Sequence, residues 1–159
     1  MTNILKLSLA AVAISTLAAC GGGGSSDVAD TYVGTWKSKC FSYTGNDGNT
    51  YYETLKINLA KAAAAELTAV YSEAKAHSDS ACANFLGAIN APPTVKLNIG
   101  VEETFLGAPA HYIVHTNPAT GEARQGYIKA DSTQLLLVIS DVSGQKPTGW
   151  GKSSPYTKQ

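Results

Sequence analysis

Few side chains in this 159-residue sequence are spaced to do chemistry together, and each set can be tested against the backbone that would carry it. His111 and His115 stand four apart, which on a helix would turn both rings toward one metal ion. The intervening Tyr112-Ile113-Val114 favours a strand, where same-face residues four apart lie about 13 Å from each other, too far to share an ion bound at about 2 Å. His77 is the one other histidine, and no metal site is expected. Glu102 and Glu103 are adjacent, so on a strand they point to opposite faces and cannot form an acid–base pair across one substrate. No serine sits in a G-x-S-x-G elbow, and no Ser/His/Asp set assembles by motif. Asn46, Asp47 and Asn49 offer oxygen ligands but lack the spaced carboxylates and terminal Glu of a calcium loop; a hairpin turn on Asp47-Gly48 accounts for them. Neither a catalytic residue nor a cofactor is expected.

The cysteines say more. Cys20 closes the run Leu17-Ala18-Ala19-Cys20 and is followed by Gly21-Gly22-Gly23-Gly24-Ser25-Ser26. Before it, Lys6 and the chain amino terminus form a small positive region, and Leu7 to Ala19 form an apolar stretch of 13 residues interrupted by Ser8, Ser15 and Thr16. That is short of the roughly 20 apolar residues a spanning helix needs and fits a signal segment. The whole arrangement resembles the lipobox of bacterial lipoproteins. The resemblance implies cleavage before Cys20, acylation of Cys20, and a lipid anchor in the bacterial cell envelope. Gly21, where that family places Asp for inner-membrane retention, implies the outer membrane. Two or more acyl chains hold a protein stably at a membrane, whereas one holds it marginally. The expected organisation is a signal peptide over 1–19, a lipidated Cys20 with a Gly/Ser tether over 20–30, and one domain over 31–159. With Cys20 acylated, Cys40 and Cys82 remain as a pair in an oxidising compartment, where a disulfide is the default. It would contribute roughly 4 kcal/mol in the chain-entropy model.

After removal of the leader, 11 basic side chains face 12 acidic ones, which argues against nucleic acid or an anionic surface as an electrostatic partner. The mature chain alternates with period two. Leu55, Ile57 and Leu59 alternate with Lys56 and Asn58, and Val95, Leu97, Ile99 and Val101 alternate with Lys96, Asn98 and Gly100. Further strands are expected over Tyr32–Tyr43, Leu67–Ala76, Ala110–Thr116, Gln125–Ala130 and Gln134–Ser140, separated by clusters of Gly, Pro, Asn and Asp. Residues 61–75 have helix propensity as well as alternation, and a turn or short helical cap followed by a strand is favoured. Gly144 to Gln159 reads as an irregular strap anchored by Trp150 and Tyr156. The pattern as a whole suggests an antiparallel meander closing into a barrel or sandwich.

Tyr32-Val33-Gly34-Thr35-Trp36 is similar to the start of lipocalins and related calyx barrels. Together with Cys40, His77-Ser78-Asp79-Ser80-Ala81-Cys82, Pro147-Thr148 and Pro155-Tyr156-Thr157-Lys158, it resembles a group of small proteobacterial lipoproteins with lipocalin-like barrels. The resemblance implies an all-β fold, a small antiparallel up-and-down barrel of about eight strands with one disulfide and with Trp36 plugging the closed end. Inward residues, filling a core or lining a ligand cavity, are expected to be Trp36, Leu55, Ile57, Tyr71, Leu97, Ile99, Tyr112, Val114, Tyr127, Leu135 and Leu137. Leu135 to Ile139 is apolar on both faces and demands either cover from the strap or a partner. The expected function is a non-enzymatic binding module for an apolar or amphipathic small molecule. The alternative is a protein-interaction module, such as an envelope hydrolase inhibitor or outer-membrane assembly accessory, acting through Gly45–Asn49 and Leu135–Ile139. An apolar cavity within the barrel would favour the small-molecule reading, and a filled lumen beside an exposed apolar patch would favour the protein-interaction reading.

Overall fold

The computed structural model describes residues 27–45, 47–90 and 93–159. The leader, Cys20 and Asn46 lie outside the described residues. Ten strands follow in order: Gly34–Ser38 (β1), Phe41–Thr44 (β2), Thr50–Ala63 (β3), Glu66–His77 (β4), Phe85–Ala88 (β5), Val95–Phe105 (β6), Ala108–Thr116 (β7), Ala123–Ala130 (β8), Gln134–Ile139 (β9) and Tyr156–Lys158 (β10). Eight of them, β1-β3-β4-β6-β7-β8-β9-β10, pair antiparallel in chain order, and β10 returns to β1. The result is a closed up-and-down barrel, as expected, with no free edge around the ring.

The expected first strand is broken in two at Lys39-Cys40. β1 pairs with the later part of β3 and β2 with its beginning. On the other side, β6 pairs with the start of β4 and β5 with its end. The long β3–β4 hairpin therefore overshoots the ring and, with β2 and β5, makes a four-stranded flap. The Cys40–Cys82 disulfide is present, with a Cα–Cα distance of 5.7 Å, and ties the β1–β2 bend to the β4–β5 loop at the flap's base. Residues 61–75 carry no helix. β3 runs to Ala63, Ala64-Ala65 turn the chain, and Leu67 and Ala69 then point into the core at 0% exposure.

The lumen is packed. Trp36, Ile57, Leu67, Leu97, Ile113, Ile128 and Leu135 are fully buried there, with Leu55 and Tyr71 packed against them. Trp36 closes one end, its Nε1–H donating to the Tyr32 carbonyl at 3.0 Å while Lys158 Nζ lies 5.3 Å from the ring centroid. Beneath it, Val28–Thr31 forms a 3-10 helix whose Ala29 is wholly buried and donates its N–H to the Ala64 carbonyl at 3.1 Å. The tether expected over 20–30 therefore ends earlier, because Val28 and Ala29 pack against the core.

Tyr112, Val114 and Tyr127 do not face inward. β7 and β8 instead turn Ile113 and Ile128 into the lumen and place Tyr112 and Tyr127 in a second apolar cluster outside, with Phe105, Ala110, Val138 and Trp150; Val114 shares the outer face with Tyr112 by alternation. Large aromatics suit either side of these strands because both faces are covered. The cover is the expected strap. Trp150 meets Phe105 edge-on at 4.9 Å, Phe105 stacks on Tyr127 at 4.0 Å, and Lys146 Nζ donates to Glu103 Oε1 at 2.7 Å. The strap also bonds the barrel directly: Ser154 Oγ donates to the Leu137 carbonyl at 2.7 Å and accepts the Leu137 N–H at 3.0 Å. On β9, Leu135 and Leu137 are thus buried in the lumen and Val138 beneath the strap, while Leu136 and Ile139 stay partly exposed. A register shift between Ile99 and Glu102 ends the alternation of β6, and Val101 is 74% exposed.

Candidate functional site

Among the described residues, no side chain plugs the end of the barrel opposite Trp36. Above the level of Tyr71 and Ile139 two clefts open and share Ile139, Ser140 and Asp141. The first, of about 490 Å³, has Tyr71, Val95 and Ile139 as its apolar surface and His115, Asn117, Glu122, Arg124 and Asp141 around it. The second, of about 740 Å³, separates the inner face of the flap at Phe41, Glu53 and Leu55 from the strap between Gln145 and Ser153.

Each polar group is delivered by a definite piece of chain. His115 shares the inner face of β7 with Ile113, and its register partner on β8 is Arg124. The β7–β8 turn closes through the Asn117 N–H and the Glu122 carbonyl at 2.9 Å, with Gly121 at φ +72°, a conformation that favours glycine. The turn leaves Glu122 against Arg124, whose Nε donates to Oε1 at 2.7 Å. Asp141 follows β9, where Ser140 Oγ accepts the Val142 N–H at 3.2 Å and donates to the Val142 carbonyl at 2.9 Å.

His115 is the one group here left incomplete. Its Nδ1 is buried and has no hydrogen-bond partner among the described residues. Burial, chiefly, and the Arg124 charge hold its pKa below the ordinary 6.5, against the nearby Glu122 carboxylate. Burial thus favours the neutral ring, which offers one donor and one acceptor. Glu53, in the second cleft, is pushed up by burial, while a hydrogen bond from Tyr43 lowers it. The assembly presents an apolar floor and a rim of mixed charge, suited to recognition of a molecule with both characters. Ser140, His115 and Asp141 share the cleft, but the Ser140 hydroxyl is engaged with Val142 and no hydrogen bond joins it to His115 among the described residues.

Of the expected inward residues, Tyr71 borders the first cleft and Leu55 the second; Trp36, Ile57, Leu97, Ile99, Leu135 and Leu137 lie below in the packed core. The two histidines of β7 serve opposite ends, His111 Nδ1 sharing a 2.7 Å hydrogen bond with Tyr32 Oη at the closed end. Arg124, Asp141 and Glu53 were not singled out by sequence reasoning. The one available signal was the alternation His111-Ile113-His115, which fixes both rings on the face of a buried isoleucine. Comparison with known proteins adds nothing to the geometry: no family model, curated protein or solved structure matches this chain.

Proposed function

We propose that this protein is a lipid-anchored component of the bacterial envelope whose barrel is a non-enzymatic binding module, taking an amphipathic small molecule at the mouth instead of in the lumen. The observation that supports this reading most is the contrast along the barrel axis. The core residues below Tyr71 leave the lumen filled, while the mouth holds an unpartnered buried imidazole nitrogen beside Arg124. An apolar portion of the ligand would lie on Tyr71, Val95 and Ile139, and its polar end would meet His115 and Arg124. The anchor rests on Cys20 in its Leu-Ala-Ala-Cys setting and on the glycines that follow.

Two measurements test the reading. Cys20→Ser should release the protein from the membrane fraction; persistent membrane association would remove the anchor. Native mass spectrometry of the protein purified from the cells that make it should find a copurifying small molecule, reduced in Arg124→Ala. The rival, protein-interaction reading finds its best support in β5, an edge strand of the flap on which Phe85 and Leu86 are 58% and 61% exposed. A clean mass together with an in-cell crosslink from Leu86 would transfer the function to that edge.

A further inference from the structure

A separate pocket lies where barrel and flap join, on the outer face of the sheet; Thr54 contributes to it, while its neighbour Leu55 faces the core. It holds about 270 Å³ and is lined by Lys37, Thr54, Lys75, His77, Cys82 and Phe85. His77 is 7% exposed. Its Nε2 shares a hydrogen bond with Thr54 Oγ1 at 3.2 Å, but its Nδ1 is buried without a partner among the described residues, a costly state for a polar atom. The cations here are also under-compensated. Lys37 and Lys56 are directly opposite across β1 and β3, an arrangement that destabilises a sheet. Glu73 alone serves Lys75 at 2.7 Å and Lys56 at 3.5 Å, and Lys37 makes no ion pair among the described residues. Phe85, edge-on to His77 with ring centroids 6.2 Å apart, and the disulfide sulfur of Cys82 supply an apolar wall.

We infer that this pocket is an anion site for a carboxylate carried on an apolar body, with the carboxylate held by Lys37 and Lys75 beside His77 and the body against Phe85 and the disulfide. Ammonium and imidazole N–H groups are all donors to a carboxylate, and charge-assisted bonds are the strong ones. The apolar wall sets this ligand apart from bare phosphate. The site is independent of the mouth and survives failure of the reading given for it.

The probes are benzoate and inorganic phosphate, titrated into the isotope-labelled protein while the side-chain resonances of His77 and Phe85 are followed. Benzoate should give saturable shifts at both residues and bind more tightly than phosphate. Lys37→Met, an exposed position, should weaken benzoate about tenfold, the worth of one charge-assisted bond. Lys129→Met, on β8, should leave binding unchanged. Shifts that never saturate, phosphate binding as tight as benzoate, or indifference to Lys37→Met would each overturn the site.

Discussion

The two ends of this barrel are built from the same strands to opposite purposes, and the nine residues of β7 carry both. At the closed end His111 Nδ1 is bonded to Tyr32, whose hydroxyl is pushed up to about 12 by burial and, secondarily, by Glu102. In the middle Ile113 is wholly buried. At the mouth His115 has a buried nitrogen with no partner, beside a cleft of about 490 Å³. Satisfied polar groups under a lid are what a folded core requires; an unsatisfied one beside open volume is where a ligand gains most. The closed end holds the fold, and the mouth is where the proposed recognition would take place.

That division makes unequal demands on mutations. Trp36→Ala, at the plug, should cost about 3–5 kcal/mol in denaturant unfolding. A loss under about 1 kcal/mol would place the folding core elsewhere. Removing the disulfide with Cys40→Ala and Cys82→Ala should cost about 2–4 kcal/mol and show first as loss of amide protection in the flap, because the bridge ties its base. Protection lost first in β7 and β8 would contradict the flap's standing as a separate unit. Arg124→Ala, on the rim, should change stability by no more than about 0.5 kcal/mol while weakening ligand capture.

The smallest effect is a pH dependence at the mouth. His115 has a folded pKa below its ordinary 6.5, so the unfolded chain binds its proton more readily. The stability associated with a neutral His115 is complete above about pH 6.5 and is lost as pH falls toward the folded pKa. His115→Gln should flatten that part of a profile of melting temperature against pH between about 7.5 and 5. An unchanged slope would mean that other groups dominate the acid limb.

The strands with clear alternation were legible: β3, β4, β6, β7, β8 and β9 fall where Leu55–Leu59, Leu67–Ala76, Val95–Val101, Ala110–Thr116, Gln125–Ala130 and Gln134–Ser140 place them. β5 and β10 were not, since four and three residues are too few to establish a period. Alternation also fails to say which face is inside when a strap covers the other, and so Tyr112, Val114 and Tyr127 were placed in the lumen. The demand for cover over Leu135–Ile139 was legible, since an apolar second face must be buried by something. The mouth was not. The β7–β8 hairpin sets Arg124 opposite His115, but Tyr71 and Asp141 reach them from β4 and from the end of β9, and no local spacing connects those.

The most direct test of binding at the mouth is to strip the protein, return the organic extract of the cells that make it, and map the resonances that move. Shifts concentrated at Tyr71, His115, Arg124 and Ile139, with Trp36 and Ile128 still, are the predicted result. Shifts centred on Trp36 and Ile128 would mean that the lumen opens to hold the ligand and would contradict the assignment of recognition to the mouth.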